Sequence, residues 1–237
     1  MKAFRSLTIF VDMIGIVDYR AGNIRSVGRA LEAIKAQFII SDKPHDLEGC
    51  NKLIFPGVGE AKFAMEQLKK SGFDIFLQDQ TAAGKKLMGI CLGSQIIFDC
   101  SEEGETECLG LVKGSVRHFA SLFNKQTDRH VDCKSGFVKS ENALKIPHIG
   151  WNNIEFMNGS TPLLDGISDN SDFYFVHSYV ICPENAKIVK AAATYGVQVP
   201  AVIEYKNISA FQFHPEKSGE NGLRILRNFC FDGADKC

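Results

Sequence analysis

Two apolar periods alternate along the first half of the chain. Ile14-Gly15-Ile16-Val17 is a short apolar run that predicts a strand. Residues 23–35 follow at helical spacing, with Ile24, Val27, Leu31 and Ile34 on one face and Asn23 placed to cap the helix. Short strands are expected at 38–40 and 53–55, and the second runs into the glycine-rich turn Gly57-Val58-Gly59. Helical patterns cover 61–70 and 74–82. Residues 86–90 read as a buried strand, and 92–100 as a helix with Leu92, Ile96, Ile97 and Cys100 on one side. Strands alternating with helices predict an α/β fold, a parallel sheet covered on both faces. The second half is richer in strands, expected at 112–119, 151–156, 173–182, 188–195, 201–205 and 209–213, before a terminal helix over 220–229. No internal repeat or linker divides the pattern.

Composition narrows the field. The 237 residues suit one α/β domain with a sizeable core. A formal net charge of −1, with Lys and Arg dispersed, makes no electrostatic case for nucleic acid or a membrane surface as partner. No apolar run is long enough to span a bilayer. The eight cysteines lack the density and spacing of a disulfide scaffold, so a reducing cytoplasm is the simpler expectation. At the N-terminus, Lys2 and Arg5 precede Leu7-Thr8-Ile9-Phe10-Val11, but Asp12 interrupts the run and no small-residue cleavage site follows. Residues 1–13 are expected to be a dispensable extension and 14–237 the domain.

Chemistry concentrates in two motifs. Gly89-Ile90-Cys91-Leu92-Gly93 puts a cysteine at a strand-to-helix turn, flanked by glycines as in a nucleophile elbow. A helix starting there would favour thiolate over thiol, and its first free N–H, from Leu92, can hold an oxyanion. The plain alternative is a buried structural cysteine among packing glycines. The second motif, His214-Pro215-Glu216, follows a strand pattern that Pro215 ends. In extended chain, residues i and i+2 point to one side, so Glu216 can orient His214 toward a thiol. Alone it would read as a surface turn; together the motifs supply nucleophile, base and orienting acid.

These residues carry a resemblance to the class I, triad-type glutamine amidotransferases, and within them to glutaminase subunits of the histidine pathway. Further matching segments are Gly15-Ile16-Val17-Asp18-Tyr19 with Gly22-Asn23-Ile24, Phe55-Pro56-Gly57-Val58-Gly59, Ser101-Glu102-Glu103-Gly104, Pro147-His148-Ile149-Gly150-Trp151-Asn152, Tyr174-Phe175-Val176-His177-Ser178-Tyr179 and Phe211 to Lys217. The resemblance spans nearly the whole chain from Ile14. It implies a flavodoxin-like α/β fold, with a mostly parallel central sheet and extra antiparallel strands. It also implies an oxyanion donor from the Val58-Gly59 turn, lacking the Lys-Ser/Thr of a phosphate loop. Gln95 is implied to contact glutamine and Glu103 its amino group, with a solvated helix face and an acidic loop as the plain alternatives. His177, Ser178 and Tyr179 are implied to meet the substrate through their backbone. Asn23, Trp151, Tyr174 and Lys217 match positions at a partner interface; Trp151 can equally be packing and Lys217 a surface charge.

The chemistry implied is attack by Cys91 on the side-chain amide of L-glutamine. His214 protonates the departing ammonia, then activates water to hydrolyse the thioester. No cofactor is called for. Ammonia needs a recipient, and the resemblance implies a heterodimer with a (β/α)₈-barrel cyclase that makes imidazole glycerol phosphate and an aminoimidazole carboxamide ribonucleotide. A paralogue feeding another synthase, a stand-alone γ-glutamyl hydrolase and a non-catalytic regulatory subunit are the competing readings. Residues 120–145 depart most from the family pattern. His130 and Cys133, with Cys108 and His118, lack the paired spacing of a zinc site, so no metal is expected.

Overall fold

The computed structural model describes residues 12–20, 23–126 and 144–232. A nine-stranded sheet runs in the order β2-β1-β3-β4-β13-β12-β11-β8-β9. Its first five strands are parallel: β2 (Gln37–Ser41), β1 (Met13–Val17), β3 (Lys52–Gly57), β4 (Lys86–Cys91) and β13 (Ile208–Phe211). The other four continue antiparallel: β12 (Val197–Tyr205), β11 (Val189–Tyr195), β8 (His148–Phe156) and β9 (Ser171–His177). A second sheet has the order β10-β7-β5-β6, from β10 (Tyr179–Pro183), β7 (Gly114–His118), β5 (Cys100–Ser101) and β6 (Thr106–Glu107).

The parallel half follows from its sequence. Strands β1, β3 and β4 are apolar on both sides because helices cover both faces. Helices α1 (Ile24–Ala33) and α6 (Gly219–Cys230) pack Val27, Leu31, Ile225 and Leu226 with Ile14, Ile16, Ile54 and Met88. On the other face α2 (Ala61–Ser71) and α3 (Phe73–Ala82) bring Leu68, Phe73 and Leu77 against Leu53, Phe55 and Leu87. The nucleophile and the glycine-rich turn therefore emerge at the carboxyl ends of adjacent strands, where such sheets bind ligands.

Four expectations need correction. Residues 92–100 do not form one helix: α4 is a single turn, Leu92–Gln95. The 109–112 loop donates its N–H groups to the carbonyls of Ile96, Ile97 and Phe98, which a longer helix would need for itself. Residues 173–182 are two strands, β9 and β10, in different sheets, broken at Ser178. The run 209–213 ends as a strand at Phe211. Asn23 occupies the N-cap of α1 but makes no side-chain cap hydrogen bond. A further helix, α5 (Phe119–Gln126), lies where no element was expected. His130 and Cys133 fall outside the described residues, among which no cluster of three or more His, Cys, Asp or Glu could hold a metal. Among them, too, no helix is long and apolar enough to cross a membrane.

Candidate active site

Cys91 ends β4 with φ 54° and ψ −111°, a backbone state that non-glycine residues rarely adopt. The sharp reversal lifts its side chain out of the sheet at the mouth of a cleft. The glycines beside it are needed for close approach: a Cβ on Gly93 would run into the carbonyl oxygen of Phe55, a backbone atom that cannot step aside. A Cβ on Gly57 would likewise meet the Tyr19 hydroxyl, which is buried with no hydrogen-bond partner. Tyr19 thus packs beneath the glycine-rich turn, a role its sequence position did not reveal.

His214 lies 1% exposed beyond the end of β13, its N–H donated to the carbonyl of Tyr174. Its Nδ1 is 2.8 Å from Oε1 of Glu216, and both side chains are buried. Pro215–Lys217 form a 3₁₀ turn, so the contact arises across a turn and not along a strand, with the same outcome. The Nε2 of His214 is buried without a hydrogen-bond partner of good geometry, while the Cys91 thiol points to the carbonyl of Val176 at 3.7 Å. Such contacts are commonly loose in ligand-free enzymes. Burial opposes a charge on His214, but the neighbouring Cys91 and Glu216 outweigh it and raise the imidazole to about 10. An imidazolium beside a thiolate is the form a cysteine nucleophile needs.

A cavity of about 260 Å³ opens at this point. Its lining joins Cys91 and His214 with Val58, Gly59, Leu92, Gln95, Glu103, His177, Ser178 and Tyr179, so the nucleophile, the base and the eight residues expected to hold the oxyanion or the substrate face one space. Gln95 is held rigidly. Its Nε2 donates to the carbonyl of Tyr179 at 3.1 Å and to Oε1 of Gln212 at 3.2 Å, so both N–H groups are used and Oε1 is left to accept. Glu103 spends Oε2 on the N–H of Ala61 at 2.8 Å, at the start of α2, and burial raises its carboxyl. Gly59, at φ 101°, needs glycine. Pro147 and Val176 complete the wall.

The remaining candidates lie elsewhere. Trp151 is 58% exposed and meets Tyr174 edge-on at 6.1 Å, and the Lys217 ammonium sits 5.8 Å over the Tyr174 ring. Ile149, 59% exposed, extends this patch along β8. Asn23 begins α1, which packs beside the Pro215–Lys217 turn.

The chain matches the family described as glutamine amidotransferase class-I over residues 15–232. It belongs to that family. Among curated relatives, imidazole glycerol phosphate synthase subunit HisH of Geobacillus sp. (strain WCH70) is 43% identical over 92% of this chain and 95% of that protein. The protein of the same name from Synechocystis sp. (strain ATCC 27184 / PCC 6803 / Kazusa) is 37% identical over 91% and 94%. Two solved structures share the fold. One, a crystal structure of a glutamine amidotransferase, aligns with TM-score 0.62 at 18% identity over 93% of this chain and 98% of its own. The other, PurLQS from Thermotoga maritima, aligns with TM-score 0.64 at 18% identity over 93% and 98%. This class I amidotransferase is thus an α/β enzyme of the flavodoxin-like kind, with the antiparallel strands β12, β11, β8 and β9 added to its parallel sheet.

Proposed function

We propose that this protein is the glutaminase subunit of an imidazole glycerol phosphate synthase, serving histidine biosynthesis. The observation that carries the chemistry is the convergence of Cys91 and His214, the latter held from behind by Glu216, on one cavity whose other walls include Gln95, Glu103 and residues 176–179. Cys91 attacks the amide carbon of glutamine. The Leu92 N–H and a donor from Val58-Gly59 hold the oxyanion, and His214 hands its proton to the leaving ammonia. His214 then deprotonates water, which cleaves the thioester to glutamate. Gln95 Oε1 accepts from the substrate, and the free oxygen of Glu103 receives its amino group. The reaction uses only side chains and backbone donors.

The pathway reading is supported by the relatives' shared name, which makes each a subunit of a synthase. The partner is a barrel-shaped cyclase that consumes the ammonia. Trp151, Tyr174, Lys217, Ile149 and Asn23 form its docking surface, an exposed aromatic patch of the kind that anchors interfaces. The amidotransferase domain takes in Met13, the first residue of β1, so the N-terminal extension ahead of it is shorter than residues 1–13. The protein works in the cytoplasm, where thiols stay reduced.

The test is glutamate release by the protein alone, with the cyclase subunit of the same source, and with that subunit plus its nucleotide substrate. Strong stimulation only in the last mixture is expected. Full activity alone, indifferent to the cyclase, would instead identify a stand-alone hydrolase. Trp151→Ala should weaken cyclase binding by about 2 kcal/mol, a shift of roughly 30-fold in Kd by titration calorimetry, since truncating an interface aromatic costs this much.

A further inference from the structure

Behind the glutamine cavity runs a chain of hydrogen bonds that the reaction itself does not use. The Nδ2 of Asn152 donates to the carbonyl of Thr194 at 3.1 Å and faces Nε2 of His148 at 3.2 Å. The Nδ1 of His148 lies 3.0 Å from Nε2 of His177. The Nδ1 of His177 lies 2.8 Å from the carbonyl of Tyr179. Carbonyls close the chain at both ends, and carbonyls only accept. His177 must therefore carry its proton on Nδ1, which leaves its Nε2 an acceptor. His148 must then carry its proton on Nδ1 too, and its Nε2 accepts from Asn152. One arrangement of hydrogens satisfies every partner.

The surroundings enforce it. Both rings are buried, 3% and 5% exposed. His148 is stacked between Phe175, at 4.8 Å, and Tyr195, at 4.1 Å, and Phe119 lies 5.2 Å from His177. In this apolar box burial lowers His148 to about 4 and His177 to about 3, the latter also pressed by the neighbouring His148 and His214. A proton added to either ring would set two N–H groups face to face. The far end of the chain matters to substrate. The carbonyl of Tyr179 that His177 holds is the same one that takes the Nε2 of Gln95.

We propose that His148 is a positioning residue for glutamine. It locks His177 as the neutral Nδ1–H tautomer and so fixes the 176–179 wall and the acceptor face of Gln95. This deepens the glutaminase reading and rests on it. A neutral His177 also keeps a second cation away from the His214 imidazolium that the Cys91 thiolate requires. His148 touches neither substrate nor the triad; it begins β8, the strand that carries exposed Trp151, and Asn152 links it to Thr194 of β11.

Two measurements test it. Imidazole ¹⁵N spectra of the protein at neutral pH should show both rings as Nδ1–H tautomers that stay uncharged well below the ordinary histidine pKa of about 6.5. An Nε2–H tautomer or ordinary titration at either ring overturns the proposal, whatever reaction the protein catalyses. In steady-state glutamine hydrolysis with the cyclase present, His148→Phe keeps an aromatic ring in the stack but deletes the donor. It should raise KM for glutamine about tenfold and leave kcat within about twofold, the pattern of lost uniform binding after loss of one buried hydrogen bond. His148→Asn, whose amide nitrogen can replace Nδ1, should recover most of the affinity. Unchanged KM in a folded His148→Phe variant, or equal damage by Asn and Phe, would refute positioning. Wild-type protein that hydrolyses no glutamine would instead refute the glutaminase reading and leave the spectra to decide the relay.

Discussion

Cys91→Ala should lose glutamine hydrolysis by about 10⁴-fold or more while the protein stays folded, because no other group in the cavity can form the thioester. His214 and Glu216 would remain paired, but a base without its nucleophile has nothing to activate. Glutamate release and a thermal melt on the same sample check both halves. The backbone adds a second expectation. Cys91 sits at φ 54°, and alanine inherits that strain because it keeps a Cβ. Cys91→Gly should therefore be equally inactive yet about 1 kcal/mol more stable than Cys91→Ala, since glycine visits this region freely. If the alanine variant melts with the glycine variant, the elbow is not strained. If it still turns over glutamine, Cys91 is not the nucleophile.

Gly93→Ala is expected to be among the most damaging single-methyl changes at the described residues. The added carbon would overlap the carbonyl oxygen of Phe55, in the strand beside the nucleophile, and neither backbone can yield without moving the elbow. Overpacking against rigid atoms costs about 3 kcal/mol. In a domain of this size that lowers Tm by roughly 10 °C. Activity should fall further than stability, since the Leu92 N–H and the Cys91 sulfur would shift together. Gly49→Ala is the control: no atom lies within 4 Å of its added carbon, and its φ is ordinary. Differential scanning fluorimetry on the two variants separates them. A Gly93→Ala protein melting with wild type would show that the elbow tolerates displacement.

The two variants also separate motif from mechanism. The spacing of Gly89, Cys91 and Gly93 marks a nucleophile elbow in sequence, but the reason for glycine at 93 is a contact with Phe55, 38 residues earlier in the chain. Likewise the pairing of His214 with Glu216 was legible as an i, i+2 relation. Its actual geometry, a 3₁₀ turn that buries both side chains, came from Pro215 and from the way Tyr174 captures the His214 N–H.

Local patterning determined the parallel half of this protein. Strands β1, β3 and β4 and helices α1, α2, α3 and α6 fell within a few residues of their expected bounds, because burial on two sheet faces or on one helix stripe writes itself into the spacing of apolar residues. The candidate nucleophile, base and acid were legible for a similar reason: their neighbours, glycine and proline, are demanded by backbone geometry close in sequence. Tertiary structure alone decided the rest. The helix expected after Cys91 stops at Gln95 because a loop fourteen residues later takes its carbonyls. The strand expected over 173–182 divides at Ser178 because its halves find partners in different sheets. Tyr19 and the His148–His177 relay carry no local signal, since a tautomer is set by whichever donors and acceptors the folded chain brings within hydrogen-bond reach, and those come from β8, β9, β10 and β11.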